Sequence, residues 1–223
     1  MRLTAEDQAL VAAAIRDAES RTDGEVSAIV AQSSNDYHDV VLHWAFLIAL
    51  LPLALSAAFP GLLLWGVGLF HRMWGEEPSL RLLLTLLLFK TAFAFLVARL
   101  IIGIGPIRMA LVPHATRARR VRRRAIALFR AGTEQRTATR TGVLLYLSLA
   151  ERRAEIVADQ SIHARVDDAL WGEAMAALIE RVRADRPGEG IARAIGLIGT
   201  VLAEHFPYSG TDPNELPDRL ILL

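Results

Sequence analysis

The sequence predicts an α/β sandwich around a small mixed sheet, interrupted by a two-helix transmembrane hairpin. Three observations predict it. Two apolar spans, about Leu42 to Phe70 and about Leu80 to Gly105, each exceed the roughly 20 apolar residues that carry a helix across a bilayer's hydrocarbon core. Two shorter runs, Glu25 to Ala31 and Gly142 to Leu149, have the apolar and β-branched content of strands. The segments around them repeat apolar residues at helical spacing. The 223 residues then divide into a first domain part (1–36), the hairpin (37–107), a second domain part (108–206) and a tail (207–223).

Each element has a local reason. Thr4 is an N-cap with Asp7 at N3, and Leu10, Val11, Ala14, Ile15 and Ala18 follow at helical spacing, so Ala5 to Arg21 is a helix. Thr22-Asp23-Gly24 stops it, and Val26, Ile29 and Val30 mark the strand beyond. Ser33 to Asp36 is a loop leading to the first span. Behind the second span, Pro113 to about Gln135 reads as a basic helix with Val121, Ala125, Leu128 and Phe129 on one stripe. The Gly142 strand is nearly continuous in apolar residues, as a central strand buried on both faces is. Ala150 to Arg153 turns the chain into an antiparallel partner, Ala154 to Ala158. Asp167 or Asp168 caps a helix to about Ala184, with Ala169, Ala176, Leu178, Ile179 and Val182 inward. Pro187-Gly188 breaks the chain before a last helix to His205, and the tail, ending Leu-Ile-Leu-Leu, is expected to dock on the domain.

Charge orients the hairpin. Arg108, Arg117, Arg119, Arg120, Arg122, Arg123, Arg124 and Arg130 follow the second span with no acid before Glu134, whereas the loop between the spans balances its charges. Positive residues near span ends favour the cytoplasm. The expectation is a bacterial inner membrane protein with both termini cytoplasmic. Clustered arginines there also attract anionic lipid headgroups, which makes Arg117, Arg119, Arg120, Arg122, Arg123 and Arg124 lipid contacts. No aromatic interleaving or recognition motif accompanies them, so nucleic acid is not expected. The chain has no cysteine, which excludes disulfides and thiolate chemistry. Lys90, the only lysine, falls near the midplane of the second span, about 15 Å beyond Leu80 at about 1.5 Å per residue. Intramembrane charges are costly and point to function. Lys90 either snorkels to lipid phosphate or contacts an acidic group of a membrane-protein partner or of a second copy in a homo-oligomer.

The runs Thr22-Asp-Gly-Glu-Val, Arg140 to Asp159, and Val166-Asp-Asp-Ala-Leu-Trp-Gly-Glu resemble the TPM domain family. The resemblance extends from about Thr4 to Phe206 and implies a TPM-like α/β fold. It also implies one of two activities. Acid phosphatase activity and divalent-cation binding are proposed for some members, scaffold or assembly roles for others. Two departures remove possible ligands: Thr139, Arg140 and Thr141 stand where many members have an acid or Asn, and Asp159-Gln160-Ser161-Ile162-His163 replaces the usual Gly-Tyr-Gly. Many members lie outside the cytoplasm, whereas the charge rule here points inward.

The densest polar cluster is Asp159, His163, Asp167 and Asp168. Asp159, Asp167 and Asp168 are candidate ligands for calcium or magnesium, with His163 as acid/base and Arg140 holding phosphate. The same residues also read as a strand end, a loop residue and helix caps. No recognised ligand signature, Gly-x-Ser-x-Gly or His-Glu-x-x-His is present. The leading expectation is therefore a non-enzymatic, membrane-anchored binding or assembly factor for other membrane proteins. A divalent-cation-dependent phosphatase or related hydrolase is the alternative.

Overall fold

Thr4 opens the first helix, α1 (Ala5–Glu19), through a reciprocal capping box: its hydroxyl accepts from the Asp7 N–H at 3.1 Å and the Asp7 carboxylate accepts from the Thr4 N–H at 2.8 Å. Two backbone donors that the helix start leaves unpaired are thereby satisfied. The computed structural model describes residues 3–61, 64–65, 68, 79–132, 141–210 and 217–223. Clustering of contacts divides the chain into two units, residues 1–35 with 114–223, and residues 36–113.

In the first unit β1 (Glu25–Ala31) lies parallel to β2 (Gly142–Ser148), which pairs antiparallel with β3 (Arg153–Ala158). The sheet order is β3-β2-β1-β4, and β4 (Ile221–Leu222) comes from the tail. It runs parallel to β1, with the Leu223 N–H donating to the Val30 carbonyl at 2.9 Å and the Gln32 N–H to the Leu223 carbonyl at 3.1 Å. Leu220 is buried beneath it, so the tail docks as an edge strand.

Strand alternation divides the core between the two sheet faces. Val26, Ala28 and Val30 of β1 and Val143, Leu145 and Leu147 of β2 point to one face. Ile29 and Ala31, with Leu144 and Tyr146, point to the other. The first face is covered by α1, by α7 (Trp171–Arg183) and by α8 (Pro187–His205). Among the described helices, α5 (His114–Gly132) covers the second, through Val121, Ala125 and Phe129. β2 is buried along its whole length because helices lie on both sides. The remaining short elements are α6 (Gln160–His163) and a 3₁₀ turn, Asp168–Leu170.

Two features differ from expectation. The buried stripe of α7 is Trp171, Ala174, Leu178 and Val182, while Ala169, Ala176 and Ile179 face solvent. A helix this rich in alanine offers more than one apolar stripe at three- and four-residue spacing, and the bulky Trp171 selects among them. Leu10 is likewise exposed, leaving Val11, Ile15 and Ala18 as the buried stripe of α1. The α1 and α8 helices approach closely because residue 199 is glycine: a Cβ there would stand 2.6 Å from the Ala18 Cβ.

The second unit holds α2 (His38–Ala58), α3 (Leu80–Gly103) and α4 (Gly105–Leu111). Val41 and Ala45 near the start of α2 cluster with Ala98 and Ile102 near the end of α3, an antiparallel hairpin. Pro52 lies inside α2, and the helix ends at Ala58 with non-helical Phe59 before Pro60. The residue before a proline is biased away from helical backbone, so the expected single span to Phe70 is divided there. Both α2 and α3 are long and apolar enough to cross a membrane, with mean hydropathies of 2.2 and 2.0. Trp74 and Pro78 of the expected external loop lie outside the described residues.

Candidate functional site

Asp159 follows β3 and is buried at the start of α6. Its carboxylate accepts from the Gly142 N–H at 2.9 Å, and its own N–H donates to the Gly142 carbonyl at 3.0 Å. The side chain thus closes the end of the β2–β3 ladder. Asp167 is exposed and accepts from the Ala169 N–H at 2.9 Å, which caps the 3₁₀ turn. His163 is exposed at the end of α6, its backbone N–H donating to the Asp159 carbonyl at 3.1 Å. Asp168 begins the 3₁₀ turn, its side chain lying outside the described residues, as do Thr139 and Arg140 entirely. Among the described residues no group of three or more His, Cys, Asp or Glu side chains is placed to hold a metal ion.

The arginines of α5 separate by face. Its apolar stripe lies on the sheet, which turns Arg119, Arg123 and Arg124 to solvent. Arg120 instead donates to the Asn35 Oδ1 at 2.6 Å, and Arg122 lies 3.6 Å from a Glu155 carboxylate oxygen. Burial pushes the Glu155 carboxyl above its ordinary range, and Arg122 and Arg153 oppose that shift. The Arg120 bond holds the chain where it leaves the domain for the apolar helices. Glu151 strengthens the same point: its buried carboxylate accepts from the Ser34 N–H at 3.0 Å and from the Ser148 hydroxyl. Ser34 also shares a 2.9 Å hydrogen bond with the Tyr146 hydroxyl. Lys90 is exposed on α3 and has no ion-pair partner among the described residues.

An acidic pocket escaped the sequence reasoning. Glu19 at the end of α1, Glu25 at the start of β1 and Asp218 of the tail line a cavity of about 300 Å³ together with Arg16, Thr22 and Tyr208. The Glu19 Oε1 accepts from the Val26 N–H at 3.1 Å, while Oε2 is shielded from solvent. Burial pushes the Glu19 carboxyl up to about 8, opposed by the Val26 N–H and reinforced by the charges of Glu25 and Asp218. At neutral pH this carboxyl is largely protonated, a proton donor rather than a charge. Glu19 and Glu25 lie only six residues apart, but Asp218 comes from the far end of the chain, which is why the pocket has no local signature.

The fold defines an α/β domain with a pair of long apolar helices inserted between its first strand and its remainder. A TPM domain family model matches residues 105–201. The resemblance read from the sequence holds over this segment, which contains α5, β2, β3, α7 and most of α8. Among solved structures the chain is similar to the NMR structure of BA42 protein from the psychrophilic bacterium Bizionia argentinensis sp. nov.. That match has a TM-score of 0.57 at 18% identity and covers 100% of this chain and 97% of the other. At such identity the likeness is one of fold. No curated protein matches the chain.

Proposed function

We propose that the protein is a membrane-anchored, non-enzymatic TPM-like domain that binds or helps assemble other membrane proteins. The observation that carries this reading is the outer surface of α3. In its most apolar 18-residue stretch no residue is buried, and Leu84, Leu88, Phe89, Phe93, Leu96 and Leu100 are all exposed. Lys90 stands on that surface. Hydrocarbon satisfies the apolar side chains but not the ammonium, which makes Lys90 the position where a partner's acidic group or a second copy gains most. Exposed arginines of α5, among them Arg119, Arg122, Arg123 and Arg124, would then meet anionic headgroups at the cytoplasmic face of a bacterial inner membrane.

Lys90→Leu tests the reading. Co-purification of membrane partners should weaken while the melting temperature of the soluble unit stays unchanged. Unchanged partner recovery would refute the role given to Lys90. The hydrolase alternative, with Asp159, Asp167 and Asp168 holding calcium or magnesium, His163 as acid/base and Arg140 on phosphate, takes second place. It needs those groups to converge on an open cleft, whereas the Asp159 and Asp167 carboxylates are engaged by backbone N–H groups.

A further inference from the structure

The tail reaches the sheet by a narrow attachment. β4 pairs with β1 at Ile29–Ile221 and Val30–Leu222, and the ladder continues through the Leu223 N–H on the Val30 carbonyl and the Gln32 N–H on the Leu223 carbonyl. Hydrogen bonds exchanged against water contribute little each, so contacts beside so short a strand weigh heavily in whether it stays docked. Buried Leu220 is one such contact.

The other joins two acids. Asp218 lines the cavity of about 300 Å³ beside Glu19, and the Glu19 and Asp218 carboxyl groups are hydrogen-bonded to each other. An ionised carboxylate only accepts, so two carboxyl groups bond in this way only by sharing a proton. The surroundings favour that proton. Glu25 faces Glu19 from β1 as a buried acid, and the Val26 N–H, which favours the charged form, is outweighed by burial. Arg16 of α1 also lines the cavity, but it is exposed and its charge is screened by water. The phenol of Tyr208, from the segment after α8, completes the titratable lining among the described residues.

We propose that the Glu19–Asp218 pair is a proton-operated latch on the tail strand: with the shared proton it holds β4 on the edge of β1, and loss of that proton to solvent releases β4. Release bares the Val30 carbonyl and the Gln32 N–H, an open edge that can pair with a strand of another chain. The docked tail helps hold the Glu19 carboxyl up to about 8, so by linkage docking takes up a proton and weakens as pH rises towards that value. The latch lies in the first unit alone and does not rest on the role given to Lys90.

Native-state hydrogen exchange of the detergent-solubilised full chain at pH 6 and 9 tests it, each rate being referred to the unprotected rate at the same pH. The Gln32 and Leu223 amides report the β1–β4 bonds, and the Asp159 amide, bonded to the Gly142 carbonyl, reports the β2–β3 end of the sheet. Protection of Gln32 and Leu223 should fall by about tenfold or more between the two pH values, and that of Asp159 by less. In Glu19→Gln the side-chain amide donates to Asp218 without a titrating proton, so the fall should disappear. Asp218→Asn, whose amide can donate to an ionised Glu19, should reduce it and serves where Glu19→Gln does not fold. Asp17→Asn, at an exposed position of α1, should leave it unchanged. No fall in the unaltered chain would overturn the proposal. So would an equal fall at Asp159, or a fall undiminished in Glu19→Gln and Asp218→Asn.

Discussion

The Glu19 carboxyl sits between two opposing influences: burial that favours its neutral form and a Val26 N–H that favours the charge. Burial prevails, so the folded state binds a proton that the unfolded chain releases at about 4.5 and retains it to about pH 8. Because the folded-state value is raised, the associated stability is fully present below about pH 4.5 and is lost as pH climbs through about 8. Glu19→Gln keeps an oxygen for Val26 and removes the titration. Its unfolding free energy should exceed that of the unaltered protein above pH 8 and vary less between pH 5 and 9, as read by urea denaturation at stepped pH. A second residue-scale expectation concerns Gly199. In Gly199→Ala the new methyl meets Ala18 at 2.6 Å, and α1 must shift. The overpacking should destabilise the protein by about 1–3 kcal/mol, outweighing the usual helix gain of alanine over glycine. A raised melting temperature would show that the α1–α8 contact yields freely.

At the scale of elements, legibility followed the strength of local patterns. β1 was readable from Glu25 to Ala31 through its β-branched Val26, Ile29 and Val30, and β2 from its nearly continuous apolar run, as a strand buried on both faces shows. The α1 start was readable from Thr4 and Asp7, since a capping box is a local device. The α7 stripe was not, because Ala169 and Ala176 look as apolar as Ala174 until a neighbouring surface chooses between them. Nor was the acidic pocket, since Glu19, Glu25 and Asp218 meet only after the tail has reached β1. Asp159 was readable as a candidate, but a buried carboxylate closing a strand ladder and one binding a ligand present the same sequence. The tail was expected to dock, and it does so by adding a strand over buried Leu220. Leu220→Ala should therefore lower the stability by about 2–3 kcal/mol, seen as a reduced urea midpoint with an unchanged slope. An unaltered midpoint would mean that β4 contributes nothing to the folded state.

The whole molecule carries a topological constraint stronger than any single element. β1 precedes the apolar helices and β2 follows them, yet the two strands pair in register from Glu25 with Gly142 to Ala31 with Ser148. A sheet cannot form across a bilayer, so whatever leaves the domain at Asn35 and returns at His114 must begin and end on one side. An even number of crossings satisfies this, and α2 and α3 are two helices of sufficient length. The clamp of Asn35 by Arg120 and of Ser34 by Glu151 and Tyr146 fixes the departing strand on the domain side. On the proposed membrane reading, the arginines of α5 would bias that side towards the cytoplasm.

Because the chain has no cysteine, single reporters can be placed without a background. Asp17→Cys in α1, Glu76→Cys between the two spans and Arg123→Cys in α5 would each be treated with a membrane-impermeant maleimide in sealed vesicles of both orientations. The account predicts that the reporters at positions 17 and 123 react only from the cytoplasmic face and the one at 76 only from the opposite face. Reaction at 76 from the same face as 123, or at 17 and 123 from opposite faces, would contradict it.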